Sequence, residues 1–385
     1  MRHFDHLSPD QEHQLFLHPP QPVDVDDDPA LLAVALGATL YLPADRPALS
    51  SDVLRQRAAG VLSVVLCLED AVADHAVEAA QRNLVHHLRA LAASGADGPL
   101  VFVRVRRPEQ VGELVASLGA DAGVLTGFVL PKFTAATGEP FLRAVEDAAV
   151  AAGHQLRVMP VVESPEVAHL ETRVASLEGI RALLARHRES VLAVRIGATD
   201  LSSAFGLRRR RELTVYDVRV VADVIADVVN VLGRPGDDGH VVTGPVWEYF
   251  TRPERVFKPQ LRETPFRVHD ERPLRTELLA EGLDGLIREV VLDQANGLTG
   301  KTVIHPSHVA VVHALSVVAH EEHADALDVL GAGGGGVAAS SYGNKMNEAK
   351  PHRAWAERLS RRARVFGVAR PTTSFVDLLG AVTAR

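Results

Sequence analysis

The chain carries eight short apolar runs, and each is followed by a longer amphipathic stretch. The runs are rich in Val, Ile and Leu and lack the polar alternation of a strand with one solvated face. Such runs are typical of strands that are buried on both faces of a parallel sheet. We therefore predict strands within residues 38–45, 62–70, 100–106, 127–132, 156–164, 191–200, 241–250 and 301–306.

Helical stretches fill the spaces between these runs. Residues 164–187 open with Ser164 and Pro165, a capping residue followed by the residue favoured in a first helical turn. Eight strand–helix units are the count of a (β/α)8 TIM barrel, and a doubly wound open sheet is the main alternative. No dinucleotide fingerprint follows a strand, because the glycine-rich residues 331–336 come after a helical stretch. The pattern therefore favours an α/β fold of the TIM-barrel type.

Composition divides the chain into four parts. Residues 1–30 are rich in proline and acidic residues, which predicts a flexible N-terminal arm. Residues 31–330 form the predicted barrel domain, with an insertion at about 251–290 that is too long for a bare crossover. Residues 331–336 are a predicted glycine linker, and residues 337–385 a predicted C-terminal helical segment.

The net charge and the cysteine count indicate which classes of partner are disfavoured and which cellular compartment to expect. A net charge of -8 argues against nucleic acid, because phosphate recognition needs a basic surface. Cys67 is the single cysteine, so no intrachain disulfide is possible, which fits a reducing compartment. The N-terminal residues lack a secretory pattern, and no apolar run is long enough for a spanning helix. We expect a cytoplasmic protein that binds neither nucleic acid nor membrane.

Ionisable side chains follow most of the predicted strands. In a parallel barrel the carboxyl ends of the strands meet at the active face, so these side chains should share one mouth. Any one of these residues could also be a solvated side chain at the end of a strand or one partner of a salt bridge. The residues are Asp45, Arg46, Glu69, Asp70, Arg104, Arg106, Lys132, Glu163, Asp200, Glu248 and His305.

Glu163 and Asp200 are the two acids that most strongly suggest a metal site. Both follow long apolar runs directly, and they fall on successive strands, which lie about 4.8 Å apart in a sheet. Oxygen ligands without a nearby cysteine or paired histidine suit Mg²⁺, or Mn²⁺, rather than zinc. The alternative is that each acid is a helix N-terminal residue favoured by the helix dipole.

Seven motifs follow one another along the predicted barrel: "LYLPADRP", "LCLEDAV", "FVRVR", "VLPK", "PVVESPEVA", "IGATDLSSAFG" and "GLTGKTVIHPSHV". From Ala38 to Val312 they resemble the signatures of the HpcH/HpaI aldolase and citrate lyase β-subunit superfamily. Beyond the glycine linker, "GNKMNEAKPH" is similar to the lid motif of its malyl-CoA lyase type. The seventh strand with Trp247 and the basic insertion resemble the bacterial branch of TIM-barrel carbon–carbon lyases associated with tellurite-resistance and stress gene clusters.

The resemblance implies roles for the acids at the strand ends. Glu163 and Asp200 match the two Mg²⁺ ligands of the family. Glu69 and Asp70 match the acids that support the water shell of the metal. Glu348 matches the acid of the lid, which often comes from a neighbouring subunit and acts as proton donor or acceptor.

The resemblance also implies roles for three cations. Arg104 matches the arginine that orients the substrate and stabilises an enolate, and Arg46 and Lys132 match positions that face the substrate or support those that do. The chain departs from the family at Cys67, where aspartate is usual, and at Arg106, where the corresponding segment usually carries asparagine. Glu348 also replaces an aspartate and is one methylene longer.

The resemblance therefore implies a Mg²⁺-dependent lyase or aldolase that makes or breaks a bond between a 2-oxo acid and an enolate. An enolate from a thioester would make the enzyme an acyl-CoA lyase, whereas an enolate from pyruvate would make it a class II aldolase. The basic residues 208–211 and those of the insertion would contact CoA phosphates or form a solvated face. A barrel that has lost catalysis and serves as a partner in a stress-response assembly is the other alternative. The family also implies a homo-oligomer, a trimer or a hexamer.

Overall fold

Eight parallel strands form the centre of the molecule. The computed structural model describes residues 1–236, 238–250, 283–332 and 336–383, so most of the predicted insertion and residues 333–335 of the linker lie outside the described residues. Every apolar run predicted as a strand contains one. The strands are β2 (Ala38–Pro43), β3 (Ser63–Cys67), β4 (Leu100–Arg104), β5 (Gly127–Leu130), β6 (Arg157–Val162), β7 (Val194–Ile196), β8 (Val242–Thr243) and β9 (Lys301–Val303).

The sheet closes on itself and is therefore a barrel. Its hydrogen-bonded order runs from β8 through β7, β6, β5, β4, β3 and β2 to β9. A parallel bridge between Gly244 and Lys301 joins the two ends, and the amide of Thr302 donates to the Gly244 carbonyl at 3.0 Å. These contacts exclude the open sheet, because a doubly wound sheet leaves its first and last strands unpaired.

Helices surround the strands and cover their outer faces. Local signals set several boundaries: Thr134 caps α6 with a capping box, and Gly153 ends it in the left-handed conformation. The helices up to the insertion are α1 (Pro9–Leu15), α2 (Pro29–Ala35), α3 (Leu49–Ala58), α4 (Val77–Ala93), α5 (Glu109–Leu118), α6 (Ala135–Ala152), α7 (Pro165–Ala168), α8 (Leu170–Arg186), α9 (Ala198–Ser203) and α10 (Arg219–Leu232). Those that follow are α11 (Asp284–Ala295), α12 (Ser307–Ser316), α13 (His320–Gly331), α14 (Ala349–Phe366) and α15 (Phe375–Thr383).

The first thirty residues are folded against the barrel, which contradicts the prediction of a flexible arm. Ser8 caps α1 with a capping box, and strand β1 (Phe16–His18) pairs with β12 (Val368–Ala369) near the other end of the chain. Phe4 and Phe16 are 3% and 2% exposed. Composition alone cannot show this, because the strand that pairs with β1 lies some 350 residues further along the chain.

The C-terminal segment packs at the amino-terminal end of the barrel, opposite the mouth. Its helix α14 and the starts of β8 and β9 line one cavity of about 500 Å³, to which Val241, Gly300 and Leu359 contribute. A hairpin of β10 (Val337–Ala339) and β11 (Met346–Glu348) precedes α14. Helices α13 and α14 share a small apolar core of their own. Nowhere in the described part of the chain does a helix combine the length and apolar character needed to cross a membrane.

Candidate active site

Six of the predicted site residues meet at the carboxyl ends of β3 to β7. They belong to five different loops, and the parallel barrel brings them to one mouth. Glu69 and Glu163 are 6% and 3% exposed, so two acids are held inside the protein surface. The six residues are Glu69, Asp70, Arg104, Lys132, Glu163 and Asp200.

Glu69 is the centre of an ion cluster. Its Oε2 lies 2.9 Å from Nη2 of Arg104, and its Oε1 accepts from Nζ of Lys132 at 2.8 Å. Asp70 adds longer contacts of 3.5 Å to Arg104 and 3.6 Å to Lys132. Arg106 supports this loop from below, because its guanidinium donates to the carbonyls of Leu68 and Glu69 at 2.7 and 2.9 Å. The cluster fixes the two cations in the mouth.

The electrostatics of the cluster shift the pKa values of the neighbouring acids Glu69 and Asp70 in opposite directions. Burial alone would raise the pKa of Glu69, but hydrogen bonds from Asp70 and Lys132 and the charge of Arg104 outweigh burial and lower it. Burial and the adjacent Glu69 raise the pKa of Asp70. The hydrogen bond to Glu69 raises the pKa of Lys132, which therefore stays positive.

Glu163 is buried at the end of β6 by two local features. Its Oε1 accepts from the backbone N–H of Lys132 at 2.9 Å, and Lys132 holds the left-handed conformation with φ of 47°. A non-glycine residue in that region costs roughly 1 kcal/mol or more, which often marks a functional site. Gly197 makes room on the other side, because a Cβ there would lie 2.0 Å from Oε2 of Glu163.

Asp200 lies in the first turn of α9 and faces Glu163. Burial, together with the charge of Asp200 and a hydrogen bond between the two carboxyl groups, raises the pKa of Glu163. Among the described residues no Lys, Arg or His forms an ion pair with either acid. Two adjacent carboxylates without a protein counterion are the donor set that a hard divalent cation prefers. No third His, Cys, Asp or Glu completes a metal-holding group within the described chain, so water and substrate would supply the other ligands.

Arg46 and Glu348 do not join this cluster in the described structure. Arg46 forms an ion pair with Asp52, at 2.6 Å between Nη2 and Oδ2, and is exposed at the rim of the mouth. Glu348 is exposed at the N-cap of α14, where its N–H donates to His352 at 3.1 Å. Because α14 packs at the opposite end of the barrel, Glu348 has no described contact with the mouth.

Three residues that sequence reasoning did not select lie directly beneath the cluster. The Sγ of Cys67 accepts from Nε of Arg104 at 3.2 Å. The ring of Tyr41 contacts two guanidinium groups: the guanidinium carbons of Arg104 and Arg195 lie 5.6 and 5.4 Å from its centroid. The sequence did contain a signal for Arg195, because it is a charged residue within the apolar run of β7. Since alternate residues of a barrel strand point inward, an interior position could have been predicted.

The basic run at residues 208–211 divides into exposed and buried members. Arg209 is 6% exposed, pairs with Glu289 and lies 4.8 Å above the ring of Trp247, so it cannot contact CoA phosphates as expected. Arg208 and Arg210 are exposed. A cavity of about 370 Å³ is lined by Arg208 and by Thr199, the residue that precedes Asp200. The basic residues of the insertion lie outside the described residues.

Comparison with known proteins agrees with this architecture. Residues 30–368 match the family model described as C–C bond lyase of the TIM-barrel fold. No curated protein matches the chain. A solved structure of a citrate lyase from Burkholderia xenovorans LB400 is similar at a TM-score of 0.59 and 17% identity, over 90% of this chain and 96% of that chain. Protein CitE from Mycobacterium tuberculosis, solved with magnesium, acetoacetate and coenzyme A, is similar at a TM-score of 0.54 and 23% identity, over 86% and 99%.

Proposed function

The chain belongs to the carbon–carbon bond lyases of the TIM-barrel fold, and we propose that it is a Mg²⁺-dependent enzyme that joins or separates a 2-oxo acid and an enolate. The observation that carries the proposal is the pair of carboxylates, Glu163 and Asp200, beside the cations Arg104 and Lys132 in one barrel mouth. A metal-dependent lyase needs negatively charged residues that bind the metal ion and positively charged residues that bind the anionic substrate.

Glu163 and Asp200 would hold the metal ion, with Mn²⁺ as a possible substitute for Mg²⁺. The bound ion would supply Lewis acidity to the keto oxygen and neutralise charge that develops there. The uncompensated carboxylate pair fits this role, and the magnesium in the similar CitE protein supports it. Glu69 and Asp70 would hydrogen-bond to the water molecules around the ion and keep Arg104 and Lys132 in place.

Arg104 would bind the developing enolate. Its Nε is held by Cys67 and its Nη2 by Glu69, so the guanidinium cannot rotate away when charge develops. A preorganised donor of this kind stabilises an oxyanion without reorganisation during the reaction. Lys132, whose side chain is 55% exposed, would contact the substrate carboxylate from the solvent side. Arg46 would assist at the rim after release from Asp52.

An acyl-CoA thioester is the proposed source of the enolate. Exposed Arg208 lines the cavity of about 370 Å³ beside α9, and guanidinium groups suit phosphate recognition. The coenzyme A in the similar CitE protein supports this source. A class II aldolase that forms the enolate of pyruvate is the competing outcome of the test below.

Glu348 would complete the site from a neighbouring subunit. In one chain its helix packs at the end of the barrel opposite the mouth, so a proton-transfer role requires a second copy. We therefore propose a homo-oligomer, a trimer or hexamer as in the family that the sequence resembles. The free thiol of Cys67 accords with a cytoplasmic location.

The first test is isothermal titration with pyruvate, oxaloacetate and glyoxylate, in Mg²⁺ and in EDTA, for the wild type and Asp200→Asn. Binding that needs both Mg²⁺ and Asp200 supports the proposed site. Absence of wild-type binding contradicts it and favours a non-catalytic barrel. Deuterium exchange into the methyl group of acetyl-CoA or pyruvate, followed by proton NMR, then identifies which enolate forms.

A further inference from the structure

Arg195 on β7 is a cation buried in the barrel interior without a carboxylate partner. It is 1% exposed and is among the largest fully buried side chains. In the part of the chain that the structure describes, it forms no ion pair with Asp or Glu, and its Nε has no hydrogen-bond partner.

The contacts of Arg195 cross the barrel from one side to the other. Nη1 lies 3.4 Å from the Thr39 hydroxyl and 3.5 Å from the Met159 sulfur, and Nη2 donates to the Thr302 hydroxyl at 2.5 Å. Its guanidinium carbon lies 5.4 Å from the centroid of Tyr41. Neutral partners of this kind satisfy donors but leave the charge uncompensated.

Lys301, a second cation buried in the barrel, shows how such a charge is normally compensated. Its Nζ lies 3.0 Å from Oε1 of Glu289 and 2.6 Å from Oδ2 of Asp293. A buried charge without such partners costs several kcal/mol, so replacement by an apolar residue of similar volume is expected to be neutral or stabilising. Packing therefore does not explain why a charged residue occupies position 195.

The charges of the mouth supply that explanation. Among the described residues, four carboxylates line the mouth. Two cations there balance only half of their negative charge. The charge of Arg195 lies beneath the same site, and its guanidinium contacts the ring of Tyr41, which Arg104 also contacts. With a divalent cation bound, Arg195 raises the net charge of the site to one positive unit, which matches a monoanionic substrate. The four acids are Glu69, Asp70, Glu163 and Asp200, and the two cations are Arg104 and Lys132.

We propose that Arg195 is a positioning residue that acts through Tyr41 and selects a monoanionic 2-oxo acid. The inference rests on the proposed function. Tyr41 transmits the effect, because its ring packs against both guanidinium groups and keeps Arg104 at a fixed height in the mouth. The charge of Arg195 then favours an anion over a neutral ligand at the metal site.

The test compares Arg195→Met with Arg195→Lys and with the matched control Lys301→Met. Thermal unfolding without metal measures stability, and titration calorimetry with Mg²⁺ measures Kd for pyruvate, for its neutral analogue pyruvamide and for the dianion oxalate. For Arg195→Met we expect a Tm within about 2 °C of the wild type or above it. We also expect pyruvate binding weakened about tenfold or more, oxalate weakened further, and pyruvamide unchanged.

The control variants separate a charge effect from a packing effect. Arg195→Lys keeps the charge and should restore most of the pyruvate affinity. Lys301→Met should lower Tm by at least about 5 °C with the pyruvate Kd of the folded protein unchanged. Tyr41→Phe, which keeps the ring, should weaken pyruvate binding only about threefold or less.

Two outcomes would overturn the inference. If Arg195→Met lowers Tm as much as Lys301→Met and leaves the pyruvate Kd unchanged, Arg195 is a structural brace. Equal weakening of pyruvate and pyruvamide would exclude a role of its charge. A wild type that binds no 2-oxo acid in Mg²⁺ would instead refute the proposed function, and the inference with it.

Discussion

Gly197→Ala is the substitution whose effect follows most directly from the geometry of Glu163, one of the two proposed metal ligands. A Cβ at Gly197 would lie 2.0 Å from Oε2, 2.5 Å from Cβ and 2.9 Å from Cδ of Glu163. The backbone of Gly197, with φ of −94°, accepts alanine without strain, so the whole effect comes from the clash. The buried carboxyl must therefore leave its position, because ordinary contact begins at 3.4 Å.

The expected magnitude combines two losses. Overpacking a buried site costs about 1–3 kcal/mol. Displacement of Glu163 also breaks its partly buried hydrogen bond from the Lys132 amide, which contributes about 0.5–1.5 kcal/mol. We expect a decrease of about 1.5–4.5 kcal/mol in the free energy of unfolding. Mg²⁺ affinity in the presence of pyruvate should fall more than about a hundredfold, since disturbing even an outer partner of a metal ligand costs 10–100-fold.

Urea unfolding and calorimetric Mg²⁺ titration measure the two effects. Gly112→Ala in α5 is the matched control, because nothing lies within 4 Å of its added Cβ and helical alanine is favoured by about 0.5–1 kcal/mol. A Gly197→Ala protein that is destabilised but keeps wild-type Mg²⁺ affinity would refute the ligand role of Glu163. Unchanged stability and unchanged affinity would refute the packing argument itself.

Three further predictions concern the chain ends and pH. Deletion of residues 1–18 should lower Tm in thermal unfolding, because β1 covers buried surface, whereas a flexible arm would be removed without effect. Stability should decrease as pH falls from 6.5 towards 4, because burial lowers the folded pKa of His3 from 6.5 to about 4 while the unfolded residue still binds its proton near 6.5. His3 alone should contribute about 2 kcal/mol to the loss at about pH 5, so urea unfolding of His3→Gln should show a loss smaller by that amount; equal losses in the two proteins would contradict this. Mixing inactive Glu348→Gln with inactive Asp200→Asn should restore deuterium exchange if Glu348 acts in a neighbouring subunit, and a mixture that stays inactive would exclude this.

The eight strands and the acids at their ends were predictable from the pattern of residues along the chain. Strands buried on both faces need continuous apolar runs, and the carboxyl ends of parallel strands share one edge, so local patterns were sufficient to bring Glu163, Asp200 and Arg104 to one mouth. The family match agrees with the TIM-barrel carbon–carbon lyase that the motifs predicted.

Contacts between residues far apart in the chain could not be predicted in this way and are known from the folded barrel. The N-terminal residues were wrongly predicted to be a flexible arm because their partner strand β12 lies at the other end of the sequence. Closure of the barrel brings Arg195 into contact with Thr39 and Thr302 across the interior, with no carboxylate partner among the described residues. Lys301, in contrast, forms ion pairs with two carboxylates. Such pairings depend on which side chains face each other after folding, and hydrophobic periodicity along the chain carries no information about them.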